Sequence, residues 1–488
     1  MHTTPCFPEW AGAFAAQNRR LRRAAATGLH PFAALFSRWI ATHRLSQEED
    51  GPFSRCRRWP LSLVFWTFLW QVAQAGASCR EAIRQAQSLC RLQQKPPPPP
   101  GHSPYCQARA LLPLERLETI EQDVIRHANN GVAQKDLWCG REVQIVDGTT
   151  LTMPDTPANQ KAYPQQSCQK KGCGFPILRL VGCFSLATGL ISTWTTGRWK
   201  QHELKRFQRL WDLFEKGIVF LADRGFCAWG WLAQCVRRGH HAVVRARGSV
   251  RTDWRRGRRL TKDQRIVVWK KPAQKPLTVS AWEWRRLPDT LTLRLVRCRI
   301  DMPGFRTRQI IVVTTLLDPV LYPPEALSAL YYRRWEIELS FRSLKTILQM
   351  EHLSGRTPSV VHRELRMHLL VHNLVRCLML EASRTFRVPV NRLSFAGSLA
   401  AARRFAEALL HTSSAQRRRV LYDDLIRNIA EDLVPLRPGR REPRAIKRRP
   451  KPFPRLMRPR HHFREIPHQN RYYRNSRFGP AYRKKSRA

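Results

Sequence analysis

Between residues 331 and 345 the chain reads Tyr-Tyr-Arg-Arg-Trp-Glu-Ile-Glu-Leu-Ser-Phe-Arg-Ser-Leu-Lys. Pro323 and Pro324 precede the stretch, Glu325 suits the positive end of a helix dipole, and no Gly or Pro follows until Gly355. These signals predict a helix. At about 100° per residue, Tyr331, Arg334, Glu338 and Lys345 fall within an arc of roughly 60°, while Ile337, Leu344 and Leu348 cluster on another face. One stripe thus carries a phenol, a guanidinium, a carboxylate and an ammonium. A guanidinium grips an anion by a bidentate fork and an ammonium grips it as a point charge. The other reading is a solvated face with weak ion pairs.

The spacing Tyr, two residues, Arg, three residues, Glu, six residues, Lys resembles the Y-R-E-K signature of bacterial insertion-sequence transposases. The resemblance extends over roughly residues 55 to 460. It implies that Glu338 is the third carboxylate of an Asp-Asp-Glu triad, and so requires two upstream aspartates on strands. Two positions answer to that. Glu142 to Thr149 is a β-branched run containing Asp147-Gly148, and Gly217 to Gly225 is an apolar strand ending in Asp223. Each acid is expected at a strand end, although Asp-Gly also marks plain turns and Asp223 could be a cap.

By the same resemblance Asp147, Asp223 and Glu338 would hold two divalent ions, Mg²⁺ with Mn²⁺ able to substitute. Hard oxygen donors suit Mg²⁺, and paired ions can activate the attacking oxygen and stabilise the leaving one. Tyr331, Arg334 and Lys345 would contact DNA phosphates. Asp155, Glu203 and Asp318 are nearby acids assigned to structure. The implied activity is cut-and-paste transposition: hydrolysis at terminal inverted repeats of double-stranded DNA, then strand transfer into target DNA, with a dimer in the synaptic complex. A catalytically retired DNA-binding relative and a metal-dependent nuclease without strand transfer are the alternatives.

The elements around these residues predict an α/β protein whose ribonuclease-H-like core, the fold of the family, carries a β-rich insertion. Residues 1–95 read as a helical DNA-binding domain, with helices at Trp10 to Ala26, Pro31 to His43 and Leu61 to Leu92 and a basic cluster of Arg19, Arg20, Arg22 and Arg23. A packing domain with a solvated basic face is the other reading. Residues 96–104 form a proline-rich spacer. Residues 105–246 begin the core, with a helix from Tyr105 to about His127, a hairpin over Phe175 to Thr196 turning at Ala187-Thr188-Gly189, a helix over Gln201 to Lys216, and a strand from His241 to Ala246.

Residues 247–307 interleave Trp254, Trp269, Trp282 and Trp284 with Arg and Lys around two strand-like runs. They read as an insertion able to stack an unpaired base, or as a small β-core with a basic rim. Residues 308–434 complete the core through a strand to Leu316, the signature helix and a helix from Pro358 to Ala382. Residues 435–488 are Arg-, Lys- and Pro-rich and read as a disordered tail contacting phosphates.

Charge agrees with a polyanionic partner. Lys and Arg total 86 against 36 Asp and Glu, a formal net charge of +50 over 488 residues. Such an excess makes nucleic acid the expected partner and an anionic membrane surface the weaker one. The apolar run Leu61 to Trp70 falls short of a bilayer span, so no membrane segment is expected. The 13 cysteines include no C-x-x-C pair, and Cys168 and Cys173 lack zinc-finger partners. Reduced bacterial cytoplasm, beside the nucleoid, fits that usage.

Overall fold

The computed structural model describes residues 30–46, 52–53, 58–170, 172–247, 254–299, 309–435 and 462. The helix expected at Trp10 to Ala26, the basic cluster Arg19 to Arg23 and nearly all of the tail 435–488 lie outside them, as do residues 248–253 and 300–307 of the expected insertion.

Nine strands form one sheet: β1 (Val143–Thr152), β2 (Ile177–Ser185), β3 (Ile191–Arg198), β4 (Val219–Ala222), β5 (His241–Arg245), β6 (Arg258–Thr261), β7 (Gln264–Lys270), β8 (Thr290–Arg299) and β9 (Gln309–Thr314). Their order is β3-β2-β1-β4-β5-β9-β8-β7-β6. β1, β4 and β5 run parallel, and every other neighbouring pair is antiparallel. The hairpin turns at Gly189, whose φ of 70° lies in the left-handed region that glycine tolerates.

Alternation along the strands sorts the side chains into two cores. Ile145, Val219, Leu221, Val243 and Val312 point to one face, which is covered by the helices on both sides of the sheet's sequence. Val146, Phe220, Ala222, Ala242, Val244 and Val313 point to the other, against Phe207, Trp211 and the helix Trp229–Arg237. Covered on both faces, β4 has no polar side, which is why it reads as an unbroken apolar run. On the first face the long helix Pro358–Phe386 packs against Leu61–Ala73, Leu114–Asn130, Phe395–His411 and Ala415–Glu431. Among the described residues no helix is long and apolar enough to cross a membrane.

Several expected helices are divided. Leu61 to Leu92 is two helices, because Ala75 and Gly76 take φ of 54° and 103° and Ser78 then opens Cys79–Leu92 with a capping box to Glu81. Tyr105 to His127 breaks at Pro113, which forces Leu112 out of helical geometry (ψ 126°) between His102–Leu111 and Leu114–Asn130. The Pro31 helix stops at Phe36, and a 3₁₀ turn, Thr42–Leu45, follows as Trp39, Ile40 and Leu45 turn inward. Gln201 to Lys216 is only the short helix Glu203–Phe207 and a 3₁₀ turn, Trp211–Leu213. There Trp211 is buried against Phe220 and His240, and its indole N–H donates to Gln208 at 3.0 Å. These contacts fold the chain more tightly than a continuous helix allows.

The strands of 247–307 are not a separate β-unit. β8 pairs with β9 from Arg294↔Thr314 to Arg299↔Gln309, so β6, β7 and β8 continue the sheet beyond β5.

Candidate active site

Register brings the two aspartates together. The parallel pairing of β1 with β4 ends at Val146↔Ala222, so Asp147 and Asp223 are the next residue on each strand. Asp147 is not at a strand end: β1 runs on to Thr152 because its antiparallel partner β2 continues to Ile177. Only the β4 side is open at Asp147. Gly182 stands opposite it on β2, leaving that position without a side chain. Asp223 ends β4 and also caps the next turn, its Oδ1 accepting from the Gly225 N–H at 2.7 Å. Asp223 thus both follows the strand and caps the turn after it.

In phase with Ile145, Asp147 faces the side of the sheet that the helix Trp335–Arg342 covers. Arg334 joins the two, reaching Asp147 at 3.9 Å and Glu338 at 3.1 Å. Burial opposes its charge, but Tyr331, Glu338 and Asp147 keep it firmly protonated. Burial raises the Tyr331 phenol, which bonds Arg334 and senses Asp223, so it stays protonated and able to donate. Asp147, Asp223, Tyr331, Arg334 and Glu338 therefore form one neighbourhood.

Lys345 departs from it. The signature helix is divided: Pro324–Arg333 ends at Arg334, Trp335–Arg342 follows, and Ser343–Ile347 widens into a π turn in which the Leu348 N–H donates to the Ser343 carbonyl. The 100° step fails before Lys345, whose ammonium pairs with Glu351 at 3.3 Å. The Glu351 carbonyl accepts from the Thr152 N–H, so Lys345 belongs with the far end of β1.

Glu203, read from the sequence as a structural acid, lies close to this neighbourhood. It enters from the opposite face, held by Arg179 at 3.2 Å, and a Cβ on Gly148 would lie only 2.5 Å from its Oε1. Gly148 makes room for that carboxylate within the strand and forms no turn. A usable signal was present, since Glu203 opens the helix between the strands that carry the two aspartates. Burial pushes Asp147 up to about 7, and the charges of Asp223 and Glu203 add to this against the Gly148 N–H and Arg334. Burial raises Glu203 too, with Asp223 reinforcing it and Arg179 opposing. Asp155 accepts from Gln160, and Asp318 caps the N–H groups of Val320 and Leu321.

Partly buried carboxylates that repel one another, countered by the Arg334 and Arg179 guanidiniums, form an all-oxygen donor set that suits a hard divalent cation. Among the described residues no three such groups converge as a finished metal cluster, since Glu338 is turned toward Arg334. The donors fit the ion, provided Arg334 lets go of them. Of the four tryptophans, Trp282 is exposed with Arg286 over its ring at 3.8 Å, Trp254 lies under Arg297, and Trp284 packs on Trp229. The described cysteines are free thiols.

Comparison with known proteins adds four findings. The family profile described as "Transposase DDE domain" matches residues 138–374. The chain is 26% identical over 415 residues to the transposase InsG for insertion sequence element IS4 of Escherichia coli (strain K12), covering 82% of this chain and 88% of that protein. It is 24% identical over 188 residues to the putative transposase y4zB of Sinorhizobium fredii (strain NBRC 101917 / NGR234), covering 37% and 47%. A cryo-EM structure of the piggyBac transposase synaptic complex with hairpin DNA superposes with a TM-score of 0.40 at 9% identity, over 82% of this chain and 84% of that one.

Proposed function

We propose that the chain, which matches the transposase DDE domain over residues 138–374 and is similar to an insertion-sequence transposase over most of its length, cuts DNA at the terminal inverted repeats of a mobile element and joins those ends to target DNA. Asp147, Asp223 and Glu338 are the catalytic carboxylates of this reading. The observation that supports it is their proximity: a parallel register sets Asp223 beside Asp147, and Arg334 pairs with both Asp147 and Glu338. The succession of strand, hairpin, short helix, strand, helix and strand supports a ribonuclease-H-like core in β1 to β5, extended by β6 to β9.

Divalent ions accompany transposase DDE domains, and we assign Mg²⁺ here, with Mn²⁺ able to replace it. When bound, such ions lower the barrier by activating the attacking oxygen and neutralising the leaving one. The three carboxylates would hold them. Arg334 passes from the acids to a DNA phosphate, which replaces one anionic partner by another. Tyr331 donates its hydroxyl hydrogen to a phosphate oxygen. Lys345 meets the backbone further along β1 as a point charge. Water first displaces one strand to free a 3′-hydroxyl, and that hydroxyl then attacks a target phosphodiester. Synapsis of two ends calls for a dimer.

Incubation with paired element ends and a target plasmid tests the reading, because only a transposase yields joined products. Glu338→Ala is expected to abolish cleavage while end binding persists. Asp223→Cys exchanges a hard oxygen for a soft sulfur and is expected to be inactive in Mg²⁺ and partly active in Mn²⁺. Cleavage by Glu338→Ala at the wild-type rate, or equal activity of the cysteine variant in both ions, would sink the assignment.

A further inference from the structure

Beside the acids, residues 164–169 with Gly172 and the chain leaving β3 enclose a cleft of about 920 Å³, open to solvent. Its wall is tied in place. Gln165 donates to the carbonyls of Gln169 and Lys170 at 3.1 and 2.8 Å and accepts from the N–H groups of Gly172 and Gly174, both at 3.1 Å. Arg198 donates to the Ala162 carbonyl at 3.1 Å, and its own N–H is held by Gln201 at 3.0 Å. The Gln165 amide is used up in shaping the cleft.

The rest of the lining is cationic, aromatic and amide, with one exposed carboxylate, Asp155, which accepts from Gln160 at 2.7 Å. Lys161, Arg198 and Lys200 are exposed at the rim, and among the described residues none has a carboxylate partner. Half-buried Trp199 lines the cleft, with the Arg179 guanidinium 5.0 Å over its ring. Gln166 and Gln169 add amides able to meet a base edge.

Location selects the occupant. From Trp199 the contacts run through Arg179 to Glu203 at 3.2 Å, and Glu203 lies against Gly148, next to Asp147. A nucleotide or two fits a volume in the usual ligand-pocket range. Cations track phosphates and an indole stacks on any base. We propose that this cleft takes unpaired nucleotides of the DNA strand flanking the cut bond, with base on Trp199 and phosphates on Lys161, Arg198 and Lys200. The proposal rests on the DNA-processing reading above and assigns a site apart from the tryptophans of residues 247–307.

The test uses the full chain without divalent ions, so that no DNA is cut. Binding is compared between a blunt duplex and the same duplex with a short tail of unpaired thymidines containing one 2-aminopurine. The wild type is expected to prefer the tailed duplex by about tenfold and to quench the 2-aminopurine on stacking. Trp199→Ala is expected to lose both the preference and the quench with blunt-duplex binding intact, and Trp199→Phe to keep part of each. Lys200→Glu alters only an exposed side chain and is expected to reduce the preference as well, so it decides the matter if the alanine variant fails to fold. Absence of a tail preference in the wild type, or its survival in both Trp199→Ala and Lys200→Glu, overturns the proposal. A protein that joins ends yet ignores the tail loses this cleft and keeps the transposase reading. One that binds neither duplex loses both.

Discussion

Burial, with the charges of Asp223 and Glu203 behind it, pushes Asp147 up to about 7 from the ordinary 3.8. The folded chain therefore binds a proton there between about pH 4 and 7, where the unfolded chain does not. Charged Asp147 destabilises the fold above pH 7, and that penalty fades as pH falls toward 4. Asp147→Asn removes the charge at nearly constant volume, so at pH 8 it is expected to stabilise the protein by about 2–4 kcal/mol while abolishing cleavage. Near pH 4 the gain is expected to vanish. Urea denaturation at both pH values, without divalent ions, checks the prediction. A gain that persisted in acid would mean that charge burial is not its source.

At the scale of elements, the site depends on how the helices are pinned to the sheet. Asn373, on the buried side of Pro358–Phe386, accepts from the Ile191 N–H at 2.9 Å and donates to the Ile191 carbonyl at 3.1 Å. One amide thus fixes the long helix to the first residue of β3, and Gly189 of the same hairpin lies against Arg376 one turn further on. Asn373→Leu would leave a buried donor and a buried acceptor unpaired, each costing roughly 1–3 kcal/mol, so a loss of about 2–5 kcal/mol is expected in chemical denaturation. A loss below about 1 kcal/mol would show that water satisfies Ile191 once the amide is gone.

At the scale of the whole molecule, the continuous sheet makes the described strands β6, β7 and β8 part of the main fold. Arg294 on β8 is fully buried, and it donates to Gln264 at 3.1 Å and to the carbonyls of Asp318 and Tyr322 at 3.1 and 2.7 Å. It thereby ties β7 and β8 to the chain that enters the signature helix at Pro324. Arg294→Met would strip these acceptors of their donor, with an expected cost of about 3–5 kcal/mol. Because β8 is hydrogen-bonded through β9 into the sheet, the variant is expected to unfold in one transition at lower temperature. A separate early transition in calorimetry would show that the inserted strands fold independently of the rest.

The sequence by itself determined the parts that rest on local periodicity and chemical type. Glu338 was singled out by its resemblance to the Y-R-E-K signature, whereas Asp147 and Asp223 each follow a strand-like apolar run. The hairpin at Gly189 and the doubly covered β4 were legible for the same reason, and the Y-R-E-K spacing named the helix face. The tertiary structure decided what depends on partners distant in the chain. The Val146↔Ala222 register makes the two aspartates neighbours, and Gly148 admits Glu203 from the other face. Packing of Trp211 shortens the helix after Glu203, and the π turn carries Lys345 away to Glu351. The pairing of β8 with β9 absorbs the insertion into the sheet. None of these leaves a local mark, because each arises from contacts between side chains and strands that only the closed fold brings within reach.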